Sequence, residues 1–193
     1  FIAMYLISSH KKGISSCQLA RDIHTNQSTA WYILHKVRAL YAQDDSVALK
    51  GEVECDEVYI GGKEKWKHKS MKTPMALGRS TKTKTPVFGM MERTKVLTLN
   101  GYETMTYVRA IVVENTNKDT LMPIVQQFVK EGTTVFTDEL NSYKHLNELG
   151  YNHKVCNHSN FEFVCEGKVY TNNIEGFWSH FRRMIIGCYH NVS

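Results

Sequence analysis

The apolar residues change their period once along this chain, and that change restricts the fold to a helical segment followed by an α/β domain. From Phe1 to about Tyr41 apolar side chains recur every three or four residues, with no strand-like alternation. Gly13 interrupts the run, a second helix is predicted from Ser15 or Ser16 through Ile23, and His24-Thr25-Asn26 makes a short polar turn. A third helix, Gln27 to Leu40, turns Ala30, Ile33, Leu34 and Val37 inward. Two short helices and a tight turn form a helix-turn-helix pattern. In that arrangement Gln27, Ser28 and Thr29 would meet base edges, and Lys36 and Arg38 would meet phosphates. An ordinary three-helix packing unit shows the same periodicity.

After a polar stretch, residues 43–50 read as a linker, the period becomes that of strands. Runs rich in Val, Ile, Phe, Tyr and Thr occupy Glu52 to Ile60, Thr85 to Glu92, Met105 to Val113 and Thr133 to Thr137, with a short strand around His153 to Cys156. Helices are predicted over Lys118 to Glu131, Glu139 to Gly150 and Asn172 to Ile186. Strands first and strand-helix alternation later imply a mixed sheet with helices on its faces.

At 193 residues and 42% hydrophobic the chain can bury a substantial core. No run approaches the roughly 18 apolar residues of a membrane span. The apolar opening Phe1 to Ile7 lacks the basic start and cleavage site of a secretory signal, so a cytoplasmic location is expected. The chain begins with Phe, so sequence upstream is expected too. Five scattered cysteines form no Cys-x-x-Cys pair and read as reduced thiols. His153, Cys156, His158 and Cys165 could hold zinc, but their spacing matches no common structural zinc pattern.

The net charge of +5 is unevenly placed. Between Gly61 and Lys84, eight cations including Lys63, Lys65, Lys67 and Lys69 face the single acid Glu64, a local +7 that leaves the remainder at −2. A basic segment on a mildly acidic body suits a partner bearing phosphates, although most charge runs are only solvated loops.

Three acids occupy defined places on this framework. Asp56 lies within the first strand, Asp138 follows the Thr133 to Thr137 strand at its carboxyl end, and Glu175 lies near the start of the last helix. Converging carboxylates make a hard-oxygen site for Mg²⁺, but an Asp-Asp-Glu trio alone is weak evidence in a chain with 19 acids.

The wording around those acids is more specific. Asp56-Glu57-Val58-Tyr59-Ile60-Gly61-Gly62-Lys63, Thr85-Pro86-Val87-Phe88-Gly89, Thr137-Asp138-Glu139, Asn157-His158-Ser159 and Thr171-Asn172-Asn173-Ile174-Glu175-Gly176-Phe177-Trp178-Ser179 follow one another in order. Together they resemble the bacterial insertion-sequence transposases of the family numbered fifteen ninety-five, relatives of the eukaryotic Merlin elements. The resemblance covers nearly the whole chain, including Lys12-Gly13-Ile14-Ser15 and Thr29-Ala30-Trp31-Tyr32.

That resemblance implies a ribonuclease H-like domain over 51–193, after a helix-turn-helix segment over 1–42, and a metal-dependent Asp-Asp-Glu or Asp-Asp-Asn site. Asp56 and Asp138 match the first two catalytic acids, while Asn172 and Glu175 both have a claim on the third. The charge that a divalent cation requires favours Glu175. The family pattern has a Lys beyond the third position, where this chain has Arg182 and Arg183. Members usually carry an N-terminal zinc ribbon and sequence beyond His190-Asn191-Val192-Ser193, so this chain reads as a fragment or a decayed gene.

The expected activity is cleavage at the ends of a DNA element and joining of those ends to target DNA. The expected cofactor is Mg²⁺, with Mn²⁺ accepted and two ions bound. The expected partners are double-stranded DNA, both element terminal repeats and target, with a homo-oligomer forming on it and no membrane. A non-catalytic DNA-binding regulator and a structure-specific nuclease are the rival readings.

Overall fold

The computed structural model describes residues 1–42, 48–62, 67–74, 76, 80–98, 101–155 and 171–190. Its chain divides into two compact units, Phe1–Val47 with Trp178–Ser193, and Ala48–Phe177.

The first unit contains α1 (Ile2–Ser9), α2 (Ser16–Asp22) and α3 (Gln27–Ala42), close to the bounds expected from periodicity. Ser15 starts α2 by accepting the Gln18 backbone N–H at 3.1 Å, and the Asn26 carboxamide accepts that of Thr29 at 2.8 Å to start α3. Ile14, Leu19, Ala20, Ala30 and Leu34 form the core of this unit, with Ala3, Leu6 and Ile7 of α1 against it. The end of α5 (Asn172–Met184) and the π-helical turn that continues it, Ile185–Tyr189, also belong here. Gly13 accommodates them: a Cβ at this position would stand 2.6 Å from Met184 Cγ, and its φ of +73° is one that glycine adopts readily.

The second unit is a five-stranded mixed sheet in the order β3-β2-β1-β4-β5, built from β1 (Glu52–Ile60), β2 (Thr85–Thr98), β3 (Gly101–Val112), β4 (Thr134–Thr137) and β5 (Asn152–Val155). β1 pairs antiparallel with β2 and parallel with β4, while β2–β3 is antiparallel and β4–β5 parallel. This is the expected α/β class, a mixed sheet with helical elements packed against it. Alternation sends Val53 and Cys55 to a face shared with Phe88, Met90 and Val135. α4 (Lys118–Phe128) covers that face with a stripe of Leu121, Met122, Val125 and Phe128. Burying each such side chain contributes about 1.5–3 kcal/mol.

Three elements depart from the sequence expectation. The β2–β3 hairpin is longer, because Arg93 and Lys95 disguise a strand-forming run that pairs as far as Thr98↔Gly101. α4 stops at Phe128, because Val129 turns extended and bridges Leu49, itself only 2% exposed although read as part of the linker. The predicted helix over Glu139 to Gly150 is instead two 3-10 turns, Asn141–His145 and Asn147–Leu149. Leu140, Tyr143, Leu146 and Leu149 recur every third residue, so only a helix of three residues per turn sets them all on the core.

Candidate active site

β1 and β4 bring the first two acids together. Their parallel register pairs Glu52 with Thr134, Val53 with Val135 and Glu54 with Phe136, and two residues further along both strands it reaches Asp56 and Asp138. Asp56, half-buried, lies opposite Gly89 of β2, a neighbour without a side chain. Asp138 is held just past β4 by its own turn: Oδ1 accepts the Leu140 N–H at 3.0 Å, and the Thr137 hydroxyl donates to its carbonyl at 2.9 Å.

A third acid joins them that the sequence did not single out. Glu57 is 9% exposed, and the Tyr143 hydroxyl, at the heart of the core, donates to its Oε1. One carboxylate oxygen from each of Asp56, Glu57 and Asp138 lies within 4.8 Å of the others. Three anions so close repel one another, and a hard divalent cation with oxygen ligands is what relieves such a cluster. The donor set therefore fits a metal ion. Strict alternation places Glu57 on the opposite face of β1 from Asp56, and the adjacency Asp56-Glu57 is the only signal for it in the sequence.

The surrounding groups are tuned in the same direction. Burial, then the Glu57 and Asp56 charges, push the Cys55 thiol well up, so it stays a thiol. Burial and the Glu57 carboxylate likewise raise the Tyr143 phenol well above its ordinary value, keeping the proton that it donates.

The remaining expected residues are distributed as follows. Glu175 is exposed in the first turn of α5 and is not part of the three-carboxylate group. Asn172 is the exposed first residue of that helix, so the preceding position belongs to Thr171, whose carbonyl accepts the Glu175 N–H at 3.1 Å. Arg182 is exposed in the last turn of α5. On α3, Ser28 and Thr29 are exposed, Gln27 donates to the Ser16 hydroxyl at 2.9 Å, and Lys36 lies 5.3 Å from the centre of the Tyr32 ring. Arg38 donates to the Tyr189 hydroxyl and lies over its ring, so it has a protein partner as well as the phosphate expected of it. Lys67 and Lys69 lie in the β1–β2 connection, whereas Lys63 and Lys65 fall outside the described residues. So do Cys156, His158 and Cys165 of the zinc alternative, and His153 is bonded to the Thr137 hydroxyl at 2.8 Å.

Residues 48–193 match the model of the ISXO2-like transposase domain. The chain belongs to that transposase family. A transposase-like protein of Haemophilus influenzae is 37% identical over 76 residues, which are 39% of this chain and 60% of that protein. The chain thus spans less than two thirds of that relative. A solved structure of a pre-cleavage Mos1 transpososome aligns over 95% of this chain and 74% of its own, at 12% identity and a TM-score of 0.25, too distant a likeness to inform the site. Among the described residues no helix is long and apolar enough to cross a membrane.

Proposed function

We propose that the chain is the DNA-binding and catalytic part of a cut-and-paste DNA transposase, which cleaves phosphodiester bonds at element ends and joins those ends to target DNA. The observation that carries this reading is the group of three carboxylates, Asp56 and Glu57 within β1 and Asp138 just past the end of β4, converging within the family-matched region. Asp56, Glu57 and Asp138 would hold divalent metal, Mg²⁺ or Mn²⁺, with Glu175 of α5 as a further ligand. When bound, two such ions lower the pKa of water and stabilise a leaving oxygen.

The chain's own residues do the rest. The carboxylates concentrate negative charge that repels phosphate unless cations are present, which ties cleavage to metal. Lys67 and Lys69 supply charge for the DNA backbone, and the polar start of α3 is suited to base edges, with Gln27, Ser28 and Thr29 closest. Arg182 would hold a phosphate through a guanidinium in place of the family's ammonium. Strand joining requires two ends at once, which suits a homo-oligomer on DNA.

The test combines labelled element ends, target plasmid and Mg²⁺ with the single variants Asp56→Ala, Asp138→Ala, Asn172→Ala and Glu175→Ala. Joined product from the parent chain is expected. Asp56, Asp138 and Glu175 variants should fold and bind DNA without cutting, and Asn172→Ala should lose less. Cut but unjoined product would favour a structure-specific nuclease, and bound DNA alone a regulator. An active Glu175→Ala beside an inactive, folded Asn172→Ala would assign the third position to Asn172.

A further inference from the structure

Two residues before Asp56, on the same face of β1, Glu54 is entirely buried. A carboxylate removed from water is tolerated only when donors replace its hydration. Those of Glu54 come from two directions. Arg93 of β2 donates its Nε–H to Oε1, with its own side chain only 9% exposed, its Nη1 3.6 Å from Glu52, and its guanidinium 4.5 Å from the centre of the Phe136 ring. The other donors belong to the first turn of α5: Asn173 Nδ2 reaches Oε1 at 2.8 Å, and the Ile174 backbone N–H reaches Oε2 at 2.9 Å.

Neutralising Arg93 does not require those last two bonds. A buried pair alone is a weak source of stability and can often be replaced by apolar side chains without loss. What the bonds from Asn173 and Ile174 add is attachment. The first N–H groups of a helix have no partner within it, and the positive end of its dipole favours an anion. Glu54 uses both, and Ile174 beside it is fully buried. Asn173 and Ile174 lie between Asn172 and Glu175, the two residues with a claim on the third catalytic position.

We propose that Glu54 is a positioning residue, a carboxylate tether that fixes the first turn of α5 against β1 and so sets where Glu175 stands relative to Asp56 and Asp138. This rests on the transposase reading above only for its consequence in catalysis; the tether itself is a statement about α5. Displacement by about 1 Å of a group that orients reactants can cost about a hundredfold in rate, so a rigid link between strand and helix has a function here that a plain ion pair lacks.

The experiment compares Glu54→Gln, Asn173→Ala and their combination with the parent chain. It reads Mg²⁺-dependent cleavage of element ends, DNA affinity, and amide hydrogen exchange of the first turn of α5 against that of β1 and β2. Glu54→Gln should slow cleavage by about 10- to 100-fold, as loss of outer-shell partners typically does, with DNA affinity unchanged. It should speed exchange in the first turn of α5 and leave β1 and β2 protected. Asn173→Ala should shift both readouts the same way by less, and its effect should shrink in the Glu54→Gln background, where a neutral carboxamide with one oxygen replaces the charged acceptor that Asn173 and Ile174 share. Parent-like exchange at α5 in Glu54→Gln would overturn the proposal, as would faster exchange throughout the sheet or losses that multiply. Should Glu54→Gln fail to fold, Asn173→Ala, altered at an exposed residue, carries the exchange test by itself. A parent chain that cuts no DNA would remove the transposase reading, and the exchange pattern would still decide the tether.

Discussion

Replacing Tyr143 by Phe removes one oxygen atom and leaves the ring in place, which isolates the bond that holds Glu57. Tyr143 is fully buried and its hydroxyl donates to a carboxylate that is itself 9% exposed. Bonds to charged groups contribute about 1.5–3 kcal/mol, against about 0.5–1.5 for a neutral pair. The same core supplies the neutral comparison: Tyr151, 5% exposed, donates to the Val129 carbonyl at 3.0 Å. Tyr143→Phe should therefore destabilise the second unit by about 1.5–3 kcal/mol, and Tyr151→Phe by roughly half as much. For a chain of this size about 2–4 °C accompanies each kcal/mol, so Tyr143→Phe should lower the melting temperature by about 3–12 °C. Near-ultraviolet circular dichroism in metal-free buffer measures both variants. Equal losses would mean that the charge of the acceptor is immaterial and would refute the account of Glu57 as a held carboxylate.

Gln27→Ala should reduce discrimination between element ends and random DNA by about 1–3 kcal/mol in competition binding if the carboxamide exchanges Ser16 for a base edge; equal losses on both DNAs would assign it to backbone contact. Replacing Lys67 and Lys69 with Gln should flatten the dependence of log affinity on log salt by about 0.9 for each lost phosphate contact, and an unchanged slope would leave this connection a solvated loop. Burial lowers the His153 pKa below its ordinary 6.5, so the folded state favours the neutral ring. Stability from this group is present above pH 6.5 and is lost as pH falls from there through the lowered folded value. His153→Gln should therefore show a shallower loss of stability in acid denaturation, and an identical acid limb would remove His153 as the cause.

Much of this was legible from local pattern. β1 runs from Glu52 to Ile60 as its β-branched and aromatic residues require, and Asp138 follows β4 at its carboxyl end as read from the sequence, while the convergence of the two Asp residues was implied by the family resemblance and not by the local pattern. Glu57 was not legible, because alternation assigns it to the core face, and only the three-dimensional position of Tyr143 explains a carboxylate there. Glu54 was hidden differently. It reads as one more acid in an acidic strand, and its α5 partners lie 119 and 120 residues away. The 3-10 turns after Asp138 were written in the spacing of Leu140, Tyr143, Leu146 and Leu149, but a period of three is close enough to 3.6 that a short window favours the commoner helix.

The four acids of β1 have different surroundings along the strand. Arg93 serves Glu52 and Glu54 at one end, while toward the other end the register sets Asp56 against Gly89, which offers no side chain. If the Asp56, Glu57 and Asp138 group binds Mg²⁺ in the folded chain alone, the metal must stabilise folding by RT ln(1 + [Mg²⁺]/Kd), about 2.7 kcal/mol at a hundred times Kd. Repulsion within the group predicts the complementary result without metal: Asp138→Asn, which removes one of three neighbouring charges and keeps the side chain's shape, should melt higher than the parent chain. The two curves should therefore cross as Mg²⁺ is added, with the parent rising and the variant nearly flat. Because the Asp138 Oδ1 also accepts the Leu140 N–H, the Asn oxygen must keep that bond for the comparison to hold, and unchanged far-ultraviolet dichroism checks it. A parent chain whose melting temperature ignores Mg²⁺, or an Asp138→Asn variant that gains as much from it, would show that these three carboxylates are not where the cation binds.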